Sequence, residues 1–325
     1  MSEYLAVDVG GTQVKGALLD KNGSLVSGGI MEIPSKAKES KETILDNFFC
    51  LFESLSEKGQ RKIEGMAFSF PGEFDYEQGI SLISGLDKYD AIYGVNLKQE
   101  FRKMICAKAL RDRFICPETL PICFLNDVEA FAMGAAGSGS ETAPRKTFAL
   151  AIGTGAGSAF LENGKAASEG TPGVPRNGWI YDTPFQGRRI DDWISKRGLM
   201  ALSEERLGQA LDGAELAALC AKGDEAAKQV YREFGHLTAL AVQPFLKAFD
   251  PDECILGGQV MKSFPLFGEE VEVLCRDMDI ALKVVTQTSL AVFAGLHRHL
   301  RSLLSDQNAD ARRAVKENIE IQGEK

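Results

Sequence analysis

One pattern occurs twice in the chain and restricts its fold more than any other feature. A short apolar run over residues 4–9 carries Asp8 and stops at Gly10-Gly11-Thr12. A second apolar run over residues 14–19 ends at Asp20-Lys21-Asn22-Gly23. The same order returns over residues 147–152, then Gly153-Thr154-Gly155-Ala156-Gly157, then residues 158–161, then Glu162-Asn163-Gly164-Lys165. Each copy reads as strand, glycine turn, strand and polar turn. A unit that recurs once at this distance is an internal duplication, not a short-period repeat. The chain should therefore contain two related α/β halves, and 325 residues suffice to give each half its own core.

The intervening sequence supports that plan. Ile44, Phe48, Leu51, Phe52 and Leu55 fall at helical spacing within residues 43–55, and residues 63–70 read as a strand stopped by Pro71-Gly72. Residues 79–96 are polar and irregular, the kind of surface loop that carries binding groups. Further helices are expected at 97–110, 128–136, 191–198, 213–221, 224–249, 264–275 and 290–305, with strands at 122–125 and 253–256. Residues 138–145 and 170–187 should be connections, and the charged tail after Asp306 a docked or frayed helix. The expected boundaries are 1–125, joined by a C-terminal helix at about 300–325, and 126–300.

Composition excludes several classes of function. A net charge of −9 and a pI near 5.1 oppose general binding to nucleic-acid backbones. The seven cysteines are scattered, odd in number and free of any Cys-x-x-Cys spacing, which favours free thiols over disulfides or a zinc cluster. No apolar run approaches the roughly 18 residues of a membrane span. Met1 to Leu5 lacks the basic and apolar regions of a signal peptide, so the cytoplasm is the expected compartment.

The turns carry the chemistry. In Asp8-Val-Gly-Gly-Thr-Gln-Val-Lys15, consecutive glycines leave backbone N–H groups open to phosphate oxygens. Thr12 adds a hydroxyl and Lys15 a charge, while Asp8 can orient a magnesium ion through water. The bland alternative is an ordinary hairpin. Gly153-Thr154-Gly155 offers a second such nest. It is no dinucleotide fingerprint, because Ser158 stands where a glycine is required and a strand follows instead of a helix. Gly257-Gly258, after the strand at 253–256, offers a third backbone opening or a plain strand-to-helix turn. Asn126-Asp127 lies at the end of one strand and the start of a helix. Asp127 there is either a helix cap or the base that takes a proton from an attacking hydroxyl.

Asp8 to Lys15, Pro71-Gly72, Asn126-Asp127, Gly153-Thr154-Gly155 and Leu256-Gly257-Gly258 follow one another in the order and spacing of ROK proteins, a resemblance that covers roughly residues 4–300. That resemblance implies the actin-like ATPase fold, with duplicated ribonuclease-H-like domains and an ATP/sugar cleft. It implies an ATP- and Mg2+-dependent sugar kinase, glucokinase-like, acting on a hexose or N-acetylhexosamine and soluble in the cytoplasm. Asp127 would be the base, Asp8 the magnesium residue, and Gly10, Gly11, Thr12, Lys15, Gly153, Thr154, Gly155, Gly257 and Gly258 the nucleotide residues. Gly72, Asn126, Asp127, Glu169 and Asp191 would face the sugar. The resemblance allows a homodimer and implies neither a nucleic-acid nor a membrane partner.

One region departs from the family. Arg176-Asn177-Gly178-Trp179 stands where members carry Glu-x-Gly-His, and no cysteine lies between Leu161 and Cys220, so no zinc is expected. Asp191 occupies the place of a sugar-binding Glu, with Glu169 as a second candidate acid. Phosphate handling should be intact and sugar recognition altered. The competing reading is a catalytically weak sugar- or nucleotide-binding regulator without a DNA-binding domain, since only seven residues precede Asp8.

Overall fold

The computed structural model describes residues 3–26, 29–85, 87–107, 109–137 and 144–323, with side chains to residue 306. The chain divides into two compact units, Met1–Ala130 with Val292–Lys325, and Phe131–Ala291.

In the first unit β1 (Glu3–Val9) and β2 (Gln13–Asp20) form the expected antiparallel hairpin, and β3 (Met31–Pro34) adds to its outer edge. Helix α1 (Lys41–Lys58) is capped by Ser40, which accepts the Thr43 N–H. It buries Ile44, Phe48, Leu51, Phe52 and Leu55 on one face. Strand β4 (Ile63–Phe70) then runs parallel to β1. A small hairpin of β5 (Phe74–Asp75) and β6 (Ile80–Ser81) and helix α2 (Leu97–Cys106) lead to β7 (Ile122–Asn126), parallel to β4. The sheet order is β3-β2-β1-β4-β7. Helix α3 (Asp127–Ala135) starts at the end of β7.

The second unit opens with β8 (Lys146–Ile152), β9 (Ala156–Glu162) and β10 (Lys165–Ala166). A hairpin of β11 (Pro184–Phe185) and β12 (Arg188–Arg189) precedes four helices, α4 (Ile190–Trp193), α5 (Lys196–Leu207), α6 (Gly213–Ala221) and α7 (Glu225–Phe249). Then come β13 (Glu253–Gly257), α8 (Phe264–Phe267), α9 (Glu269–Asp277) and β14 (Ala281–Val284). The sheet order is β10-β9-β8-β13-β14, with two antiparallel pairings followed by two parallel ones. The first unit pairs its strands in the same sequence of senses. Duplication thus holds in topology, where only the opening hairpins announced it in sequence.

The last helix, α10 (Thr288–Gly323), belongs to the first unit from Val292 onward. Arg301 donates to the Tyr4 hydroxyl at 2.8 Å, and the His297 ring meets that of Tyr4 edge-on.

Several elements differ from expectation for local reasons. The helix expected at 191–198 is two, because Ser195 leaves helical geometry to cap α5 by accepting the Gly198 N–H. The helix expected at 264–275 likewise divides at Gly268. The helix expected at 97–110 ends at Cys106. The loop at 170–187 contains a single 3₁₀ turn, Arg176–Gly178, and strand β11. Edge strands β3 and β14 escaped notice because they are four residues each and lack clean alternation. Of the connection expected at 138–145, residues 138–143 lie outside the described residues.

The core of the first unit is largely aromatic. Phe101 is wholly buried, and its ring centroid lies 4.7 Å from Phe68, 5.1 Å from Phe48 and 5.2 Å from Phe52. Phe101→Ala should therefore destabilise the first unit by about 3–5 kcal/mol through lost burial and the cavity left behind. Urea unfolding followed by tryptophan-independent far-UV dichroism reads the shift in midpoint.

Candidate active site

The parallel strands β1, β4 and β7 end together, so their last residues share one edge. Asp8 pairs in register with Ser69, and Phe70 with Asn126. Chain ends of parallel strands leave groups pointing out of the sheet, where an α/β protein assembles a site.

Asp8 accepts a 2.7 Å hydrogen bond from the Ser69 hydroxyl. Burial pushes its carboxyl above the usual range, against the Ser69 bond and the charge of Lys15. Asp127 carries the larger effect. Burial first, and the Asp8 charge second, push its carboxyl up to about 6, while the Val128 N–H and Lys88 pull it back. Two residues on, burial alone pushes Glu129 up to about 7.

The cap and the candidate base are separate residues. Asn126 Oδ1 accepts the N–H groups of Val128 (3.0 Å) and Glu129 (3.3 Å), so it caps α3. Asp127 accepts the Val128 N–H at 2.9 Å and is not the cap of α3. Asn126 Nδ2 donates to the Tyr76 hydroxyl at 3.3 Å, and that hydroxyl donates to the carbonyls of Phe70 and Gly72. The amide of Asn126 is therefore engaged at both ends, and Gly72 is tied to it through Tyr76.

The first glycine turn is closed by the Gly10 N–H donating to the Gln13 carbonyl at 2.9 Å. Its outer side is braced by Ser35, whose hydroxyl donates to the Gly11 carbonyl (2.8 Å) and whose N–H donates to that of Thr12 (2.9 Å). The Tyr89 hydroxyl donates to the Gly10 carbonyl at 2.9 Å. With these carbonyls turned into the protein, Gly11 and Thr12 stay exposed at the tip. Lys15 lies across the hairpin from Asp8, with its ammonium 3.8 Å from Glu32.

In the second unit the turn Gly153-Thr154-Gly155 is braced differently. Gly153 N–H donates to the Gly155 carbonyl at 2.9 Å, and the Lys196 N–H donates to the Gly153 carbonyl at 2.8 Å. Asp191 is 6% exposed, accepts the Ala156 N–H at 2.7 Å and pairs with the Arg197 guanidinium. A β-carbon on Gly155 would lie 2.8 Å from that carboxylate, so only glycine lets it approach. Asp191 thus braces this turn, with its carboxylate engaged by the Ala156 N–H and the Arg197 guanidinium. Gly258 has φ +95°, and a β-carbon there would meet the Ile152 carbonyl at 2.3 Å. Gly257-Gly258 therefore lies against the strand end that leads into Gly153. Glu169 is exposed in the loop after β10, apart from these contacts.

Among the described residues no three His, Cys, Asp or Glu side chains gather as a metal cluster. Asp8, at the strand edge beside the Gly10–Thr12 turn, fits a magnesium ion that keeps its waters and arrives on nucleotide phosphates, which needs only one or two protein carboxylates.

A family model described as the ROK family matches residues 4–279. This chain belongs to the ROK family. An N-acetyl-D-glucosamine kinase from Haemophilus influenzae is 24% identical over 280 residues, covering 78% of this chain and 83% of that enzyme. The ROK hexokinase from Thermus thermophilus superposes with a TM-score of 0.70 at 18% identity, covering 94% of this chain and 99% of the other. A ROK glucokinase from Streptomyces griseus, solved with glucose and AMPPNP, gives 0.65 at 19% identity, covering 91% and 98%. The fold is accordingly the actin-like one expected, and the relatives named here are carbohydrate kinases.

Ser69, Tyr76, Lys88 and Tyr89 join the site without any motif to mark them; only the irregular character of residues 79–96 pointed to the last two. Two outcomes test the electrostatics. The Asp127 carboxyl titrates near 3.8 when unfolded and near 6 when folded. The folded state is therefore penalised progressively as pH rises between those values, and fully above them. Asp127→Asn, measured without nucleotide, should gain on the order of 1–3 kcal/mol at neutral pH and nothing below about pH 3.5, by melting at each pH. Asp191→Ala should cost about 1.5–3 kcal/mol. It should also weaken ADP binding, because the Gly153–Gly155 turn loses its brace; calorimetry with ADP checks this.

Proposed function

We propose that the enzyme transfers the γ-phosphoryl group of ATP to a hydroxyl of a hexose or N-acetylhexosamine. The carrying observation is Asp127, a carboxylate freed from capping and pushed up to about 6. An acid in that range is deprotonated at neutral pH yet basic enough to accept a proton in the transition state. A helix cap would need no such environment.

The steps divide among the residues. The sugar hydroxyl, hydrogen-bonded to Asp127, gives up its proton to that carboxylate as its oxygen bonds to the γ-phosphorus. The bond to the bridging oxygen breaks and its electron pair leaves with ADP. The exposed Gly11 and Thr12 N–H groups and the Thr12 hydroxyl take phosphate oxygens. Gly153, Thr154, Gly155, Gly257 and Gly258 take the rest of the nucleotide. Magnesium bound with ATP would be held by Asp8 through water and would offset phosphate charge. Gly72 and Asn126, locked together through Tyr76, set the wall beside Asp127. Glu169 remains a candidate sugar contact, whereas Asp191 supports the nucleotide turn.

Altered sugar recognition is supported by the engaged Asp191 and by the Arg176–Trp179 segment. The Ser158 hydroxyl donates to Gly178 and accepts the Ile180 N–H, fixing that segment to β9. A coupled assay of ATP consumption against a panel of hexoses and N-acetylhexosamines tests the reading. On the best acceptor, Asp127→Asn should lower turnover at least about 10²-fold with ADP affinity unchanged. Sugar binding by calorimetry without turnover on any acceptor would instead identify a binding protein.

A further inference from the structure

We infer that Lys88 is a catalytic residue of this site, its ammonium contacting the oxygens of the phosphoryl group in transit over the Gly10–Thr12 turn. The inference rests on the kinase reading above and deepens it.

Position comes first. Lys88 lies directly on the glycine turn: a β-carbon placed on Gly11 would be 3.0 Å from its Cδ and 3.9 Å from its Nζ. The ammonium therefore stands beside the exposed N–H groups that would hold phosphate. Its charge also reaches Asp127, whose carboxyl it pulls down. One cation thus borders both the phosphate nest and the proposed base.

The backbone on both sides of Lys88 is constrained. The residues on either side, Asp87 and Tyr89, both adopt left-handed backbone, with φ of 53° and 62°. Such geometry is costly for non-glycine residues and persists where surrounding contacts impose it. Those contacts are present. Tyr89 is fully buried, its N–H donates to the Ala37 carbonyl at 2.6 Å, and its hydroxyl donates to Gly10. Asp87 pairs with Lys38. The loop is fastened through Tyr89, and Lys88 reaches from it onto Gly11.

Charge placement separates Lys88 from the lysine of the glycine motif. Lys15 is drawn towards Glu32 on the neighbouring strand. Among the described residues Lys88 forms no ion pair of that kind, so its charge is available to a ligand. As the bond to the bridging oxygen breaks, negative charge spreads over the equatorial and leaving oxygens of the phosphoryl group. A cation already fixed there needs no reorganisation during the reaction.

Lys88→Met and Lys88→Arg test the role, with ATP and the best acceptor of the sugar panel. Lys88→Met should lower kcat about 10²- to 10³-fold and change the acceptor KM little. Its AMPPNP affinity should fall at least about tenfold while ADP affinity holds, because only the first carries a γ-phosphoryl. Lys88→Arg should recover a large part of kcat. An active wild type with Lys88→Met equally fast, or slowed only through the acceptor KM, overturns the inference and leaves the kinase reading standing. Arg no better than Met overturns it too. A wild type silent on every acceptor removes the kinase reading and the role of Lys88 together.

Discussion

Two carboxylates of like charge, Asp8 and Asp127, are held at one edge of a buried sheet, the first on β1 and the second at the start of α3 directly after β7. The arrangement is unfavourable in itself, since burial and mutual repulsion both oppose ionisation. The aromatic core beneath and the parallel register of β1, β4 and β7 are what keep the two acids in place. Ser69 relieves Asp8, Lys88 and the Val128 N–H relieve Asp127, and Asn126 takes over the helix cap so that Asp127 need not. Stability is given up at this edge, the usual relation between a strained site and the scaffold around it.

The duplication shows how one topology can be adapted twice. Both units use a hairpin with a glycine turn followed by two parallel strands. The supports differ. Ser35 and Tyr89, from the strand-to-helix loop and the irregular loop of the first unit, hold the carbonyls of Gly10, Gly11 and Thr12. In the second unit a charged residue, Asp191, holds the Ala156 N–H from the opposite direction. A hydroxyl brace leaves the turn near neutral, whereas an acid brace adds negative charge behind it, balanced by Arg197. The two turns are therefore alike in backbone and unlike in electrostatics.

Much of this was legible in the sequence because the informative residues are local. Glycine turns, the apolar strands around them and the amphipathic face of α1 can each be read from a few consecutive positions. The Asn-Asp pair was legible as a pair. Which of the two would cap the helix was not, because that depends on the backbone angles at the end of β7. The bracing role of Asp191 was hidden for a related reason: its partner Ala156 lies 35 residues away, and no spacing rule joins a short helix to a distant turn. Lys88 and Tyr89 reach Gly10 and Gly11 across nearly 80 residues. Such long-range contacts leave no periodicity.

The first unit is discontinuous, and that has a consequence for how the chain acquires its structure. Strand β1 is made before the second unit, yet the Arg301 that bonds its Tyr4 and the His297 that packs on it are made after that unit. During synthesis at about 5–20 residues per second, the first sheet must wait for the whole second unit before α10 can cover it. The second unit, one uninterrupted stretch, needs nothing outside itself to complete its sheet. The order of completion is thus opposite to the order of synthesis, and the half bearing the proposed base is finished last.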